Sequence, residues 1–136
     1  MISDMQFVEF LITNIDYRAL PLTDADKNNF EFAYGLKKVD DTYILSLLTK
    51  IINVQEDHKI EVSIETKGRF AFVEECDLDE EAKENVVKTN GSAIMYPYIR
   101  TLIHSISSMD THGDIIILPT INLSKVIEDI DSTKKR

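Results

Sequence analysis

The side chains best suited to chemistry in this sequence are three histidines, one cysteine and a run of carboxylates. Histidine can ligate a metal or carry a proton near neutral pH. His58, His104 and His112 show no ligand spacing, and no HExxH motif is present. Each reads as a surface or internally satisfied histidine, so neither a metal site nor a cofactor is expected. Cys76 stands alone, which excludes an intrachain disulfide and a multi-thiolate metal centre. Its neighbours Glu74, Glu75 and Asp77 are acidic, unlike the electropositive setting that activates a thiol. The carboxylates from Asp77 onward do not form an EF-hand, because the sixth and twelfth positions are Ala82 and Lys88. The cluster at Glu74, Glu75, Asp77, Asp79, Glu80 and Glu81 suits a solvated helix start, with docking of a basic partner as the second reading. There is no GxSxG elbow, and the isolated glycines make no phosphate loop. Nothing anchors an active site, and the chain reads as a non-enzyme.

What remains is apolar surface. Tyr17, Leu20 and Leu22 lead into a loop, and Met95 and Tyr96 open a helical pattern. Ile115, Ile116, Ile117 and Leu118 form an extended run ahead of Pro119. Neighbours in an extended chain point to opposite sides, so this run cannot hide every member. One side suits packing along a sheet. The other suits a groove for apolar segments of other polypeptides, where methionine and aromatics adapt to varied sequences. These residues are the candidate client-binding groove.

The bulk properties narrow the partners. A chain of 136 residues reads as a single domain, here placed at 1–131, with a flexible basic tail at 132–136. The formal net charge of −9 argues against nucleic-acid and anionic-membrane binding and favours partners with basic segments. No apolar run approaches the roughly 20 residues of a membrane span. The first residues carry acids where a signal peptide needs bases, so a cytoplasmic location is expected.

The elements that must position these residues follow from periodicity. Residues 5–17 read as a strand with apolar side chains on both parities (Phe7, Leu11, Ile15; Val8, Phe10, Ile12). Leu20-Pro21-Leu22 ends it, and 23–29 form a polar crossing loop. Phe30, Phe32, Tyr34 and Leu36 alternate with polar or small residues as a half-buried second strand. Asp40-Asp41 makes a turn into a third strand, 43–54, which is apolar on both faces. The fourth strand, 60–72, alternates cleanly, and Gly68 marks a bulge or a close backbone approach. Asp77 and Glu80 have capping-box spacing before a short helix that Asn90-Gly91 should end. A long helix spans 94–109 and tolerates Pro97 near its first turn. A last short helix begins at Asn122 or Ser124 and runs through Ile130. The class is α+β: a four-stranded antiparallel sheet with two or three helices packed on one face. The long helix is apolar round most of its circumference. With the two-faced first and third strands, that predicts self-association, and a two-sided monomer core is the alternative.

Four local patterns resemble the SecB family of export chaperones. They are Met95-Tyr96-Pro97-Tyr98-Ile99-Arg100 heading the long helix, the apolar run ending at Pro119, Asn122-Leu123 at the last helix, and Lys67-Gly68-Arg69-Phe70 in the fourth strand. The resemblance covers 43–129 and reaches the first strands only by order and length. Leu123 stands where the family has an aromatic, and Gly113 is displaced from the family's glycine. The resemblance implies a SecB-like fold, dimers joined through first strands and helices, and a homotetramer built as a dimer of dimers. It implies ATP-independent holding of non-native polypeptides and delivery of preproteins to the SecA motor for Sec-dependent export. By position, Glu56, Asp57, Glu61 and Glu65 would form the SecA-docking face. SecB relatives also guard the antitoxin of toxin–antitoxin pairs, which is the alternative function.

Overall fold

Period-two alternation of apolar side chains builds four antiparallel strands: β1 (Met5–Leu20), β2 (Asn29–Val39), β3 (Thr42–Val54) and β4 (Lys59–Phe72). The computed structural model describes residues 4–134, with side chains through 132. The sheet order is β1-β4-β3-β2, so β1 and β2 are the edges and loop 21–28 crosses between them. Helices α1 (Glu80–Val86), α2 (Ser92–Met109) and α3 (Leu123–Lys134) follow, with a π-helical turn at Val87–Gly91 between the first two. The fold is α+β, and the helices lie against one face of the sheet. The core joins Leu45, Leu47 and Ile51 of β3, Ile60, Val62, Ile64 and Phe70 of β4, Met95, Ile99 and Ile103 of α2, and Leu123 and Ile127 of α3. Each such side chain contributes about 1.5–3 kcal/mol through removal from water. No described helix is long and apolar enough to cross a membrane.

The two parities of β1 have a cause other than burial on both sides. Its pairing with β4 slips between Phe7 and Glu9 and again between Ile12 and Asn14. Val8 and Thr13 are the extra residues, and each bulge switches the parity that faces the helices. Phe7 stands opposite Phe70, Phe10 opposite Gly68, Ile12 opposite Thr66, Ile15 opposite Ile64 and Tyr17 opposite Val62. All of them therefore share the inner face. On β3 the outward residues Ile44, Leu48 and Ile52 are half-buried beside Arg69, Glu65 and Glu61 across the strand. The aliphatic stems of such long neighbours shield them. The long helix is likewise less uniform than its sequence suggests. Met95, Tyr96, Ile99, Ile103 and Ser107 form one buried stripe, while Ile94, Tyr98, Thr101, His104 and Ser108 are exposed.

Three local expectations change. Asp79, not Asp77, caps α1, its carboxylate accepting from the Ala82 N–H at 2.8 Å. Asn90-Gly91 does not end a helix. Gly91 keeps helical angles (φ −61°, ψ −43°), and the π turn carries the chain directly into α2. Glycine is needed there for space: an added Cβ would lie 2.9 Å from Phe70 Cζ. Pro97 consequently sits inside α2 rather than in its first turn. Gly68 follows the close-approach reading, since a Cβ would lie 2.7 Å from Met95 Sδ. The bulges belong to β1, on the strand opposite. The last helix passes Ile130 and continues through Lys134, into the tail read at 132–136. Lys135 and Arg136 lie outside the described residues.

Gly91→Ala sets two effects against each other. Alanine in a helical position normally gains up to about 1 kcal/mol over glycine. Overpacking a tight core costs about 1–3 kcal/mol, and Phe70 is fully buried with little room to retreat. Urea denaturation should therefore show a net loss of stability. A gain would mean the ring moves freely.

Candidate functional site

The segment after α2 crosses its flank in extended form and is tied down by side chains gripping its backbone. Ser107 Oγ accepts the Ile116 N–H at 2.9 Å. Arg100 Nε donates to the Leu118 carbonyl at 3.3 Å, and the Tyr96 hydroxyl donates to the Pro119 carbonyl at 2.6 Å. Upstream, the Tyr17 hydroxyl donates to Asp110 at 2.9 Å. Burial and that carboxylate together push the Tyr17 phenol up to about 12. The same bond, with the His112 N–H, holds the Asp110 carboxyl below its usual range. Once the backbone is fixed, the side chains must alternate. Ile116 and Leu118 enter the core at 3% and 5% exposure, while Ile115 and Ile117 stand out at 47% and 72%.

Two shallow grooves flank a ridge of Pro97 and Thr101 on α2. One, of about 520 Å³, is lined by Phe10, Ile12, Tyr98 and Leu102 and is strongly apolar. Tyr98 stacks on Phe10 with centroids 5.0 Å apart and tilts against Phe7 at 5.7 Å. Aromatic pairs in such offset contacts hold α2 to the edge strand. Ile12 and Ile15, on the inner face of β1, remain 48% and 43% exposed, and the bulge residue Val8 is 53% exposed. The other groove, of about 350 Å³, runs between Arg100 and His104 of α2 and Ile117 with Leu118.

Of the candidate client-binding residues, only Ile115 and Ile117 are well exposed. Met95, Tyr96, Ile116 and Leu118 are core residues, because helix and segment each turn them toward the sheet. Their side chains are enclosed in this conformation. Tyr17, Leu20 and Leu22 are half-buried near the end of the sheet. Phe10, Ile12, Tyr98 and Leu102 were missed as a surface. The signal that could have exposed them was a bulge in β1, which a single sequence does not mark.

The carboxylates expected to dock SecA do not make one acidic face. Glu61 and Glu65 lie on the outer sheet face, but Glu61 is opposite Arg18 and 3.7 Å from Lys59, and Glu65 accepts from Thr13. Lys50, Lys67 and the Arg69–Glu9 pair share that face, so its charge is mixed. Glu56 and Asp57 lie instead in the β3–β4 turn. There Asp57 meets two histidines, His58 and His112, that the sequence places far apart.

No family model matches the sequence, and no curated protein matches it either. Solved structures do. A SecB-like chaperone from Mycobacterium tuberculosis, solved in complex with a ChAD peptide from the HigA1 antitoxin, superposes with a TM-score of 0.69. It is 15% identical, over 88% of this chain and 91% of that one. A protein of unknown function from Streptococcus agalactiae shares 14% identity over 85% of this chain and 97% of that one, with a TM-score of 0.48. At such identities the first likeness establishes a SecB-like fold.

The alternation on the 115–118 segment is testable by charge. Ile116→Asp would bury a carboxylate without a partner and should cost more than about 3 kcal/mol. Ile117→Asp should change stability by less than about 0.5 kcal/mol. Equal effects in thermal or chemical denaturation would show that the alternation is misplaced.

Proposed function

We propose that this chain is an ATP-independent holding chaperone that shields apolar segments of non-native polypeptides, with no catalytic role. The observation that carries this reading is the row of exposed apolar side chains, Ile115 and Ile117 beside the α2 grooves, on a SecB-like fold. Open apolar surface of this kind marks a site of protein contact. Each occupied patch contributes roughly 25 cal/mol per Å² removed from water. Several weak contacts around one particle raise the total affinity.

Between the two clients considered, an antitoxin is better supported than preproteins destined for SecA. The structural neighbour is a chaperone bound to an antitoxin peptide. The outer sheet face also lacks the concentrated negative charge that docking of a basic partner would use. In this reading the exposed inner face of β1, with Phe10, Ile12, Ile15 and Tyr98, is covered by a second copy of the chain in a homo-oligomer of two or four subunits. The groove at Ile117 stays open for the client.

The purified protein should suppress aggregation of a slowly refolding client without nucleotide, and Ile117→Asp should lose most of that effect while remaining folded. No suppression at several-fold molar excess would end the chaperone reading. Rescue of growth when the chain is co-expressed with a toxin–antitoxin pair encoded beside it would favour the antitoxin client. Binding to purified SecA would favour export.

Assembly is checked separately. Native mass spectrometry should give a multiple of the 15.6 kDa chain. Ile12→Asp should shift the particle toward the monomer. A wild-type monomer at micromolar concentration would remove the oligomer from the proposal.

A further inference from the structure

At one end of the sheet the β3–β4 turn meets the loop that follows α2. We propose that Asp57 and His58 of the turn and His112 of the loop bind one divalent transition-metal ion, zinc by the chemistry of the donors, which clamps the loop to the sheet. The proposal stands apart from the chaperone reading.

Among the described residues this is the one trio of His, Cys, Asp or Glu side chains with ligand atoms all within 4.8 Å of one another. The Asp57 carboxylate divides between two rings: Oδ1 lies 2.6 Å from His58 Nδ1, and Oδ2 lies 3.5 Å from His112 Nε2. The second distance is too long for a good N–H···O bond. It matches the roughly 3.3–3.5 Å between ligand atoms around a tetrahedral ion with bonds near 2.0–2.2 Å. The shorter contact is a hydrogen bond at Nδ1, which orients the ring and leaves its Nε2 as the ligand atom of His58. The two imidazole rings are already close, with centroids 4.5 Å apart.

His58 supplies the second, independent sign. It is only 7% exposed, and its Nε2 is buried with no hydrogen-bond partner. Buried polar atoms are seldom left that way, and metal binding is a standard use for such an imidazole. Its ligating capacity is unused by the rest of the fold.

The loop is held in place without an ion. Gln55 Oε1 accepts the Asp114 N–H at 3.0 Å, and Gln55 Nε2 donates to the Asp114 carbonyl at 3.1 Å. Gly113 permits this approach, since a Cβ there would fall 1.8 Å from Gln55 Oε1. Asp110 accepts the His112 N–H at 3.1 Å, fixing the turn that delivers His112. Preformed placement of this kind lowers the cost of binding. A polar cavity of about 580 Å³ opens over Asp57, His58 and His112, large enough to admit an ion with its water. Two imidazoles and one carboxylate suit zinc, cobalt or nickel, while calcium and magnesium prefer all-oxygen sets. Three protein ligands leave a fourth position for water.

Equilibrium dialysis of the full chain against micromolar zinc chloride should retain one zinc per chain. Cobalt(II) should give the visible absorption of a low-coordinate site, and zinc should raise the melting temperature. His112→Ala and Asp57→Asn alter exposed side chains, so both variants should fold. Each should weaken retention by at least about tenfold and abolish the thermal response. The proposal is overturned if the wild type retains none of zinc, cobalt and nickel. It is equally overturned if both variants retain zinc as the wild type does, or if the loop responds to pH alone with no metal bound.

Discussion

The close approach of the helical layer to β4 around Phe70 is the constraint on which the rest of the structure depends. The ring is fully buried and stacks on Phe7 of the edge strand, 5.2 Å between centroids. Gly68 beneath it and Gly91 above it leave the space it occupies. Because Gly91 lies in the π turn, that turn is pressed against the sheet, and α2 must leave it along one direction only. The direction sets which residues of α2 face inward, and hence which grooves open along its flank. A side chain at either glycine would lift the layer and disturb both grooves together.

Much of this architecture was legible in the chain. The four successive strands, the crossing loop, the turn at Asp40-Asp41 and the extended run before Pro119 follow from alternation and from turn residues. So does the α+β class. Apart from the α1 cap, a choice between two nearby aspartates, the features that were not legible share one cause: each depends on a partner outside its own local stretch. The bulges at Val8 and Thr13 exist only in register with β4, and without them β1 reads as apolar on both faces. Asn90-Gly91 has the composition of a helix end, yet Gly91 is there to clear Phe70. The candidate groove was half legible. Alternation guaranteed that two of the four residues at 115–118 would stay out, but choosing Ile115 and Ile117 required knowing where Ser107 and Arg100 grip the backbone. His58 and His112 are the extreme case, since no local spacing joins a β turn to a loop over fifty residues later.

Fold and function are separable here. A SecB-like arrangement is fixed by the sheet, the π turn and the glycine contacts, and none of these uses the side chains exposed beside α2. The exposed side chains Ile115 and Ile117 are ones the core does not use. This division explains how the outer sheet face can hold a mixed charge without consequence for the core. It also places the two open apolar regions, the β1 inner face and the Ile117 groove, on opposite sides of the Pro97–Thr101 ridge. One can be occupied while the other is free.

The manner in which the 110–122 segment is tethered has an evolutionary consequence. Its anchors are the Ile116 N–H donated to Ser107 Oγ and the hydrogen bonds that Arg100 and Tyr96 donate to main-chain carbonyls, together with the inward side chains Ile116 and Leu118. None of these requires a particular residue at the outward positions 115, 117 and 120. Those positions can therefore drift at almost no cost to folding, and lineages sharing this scaffold can change the surface presented there by single substitutions. The outward surface would diversify quickly on this segment while the sheet beneath it stayed unchanged.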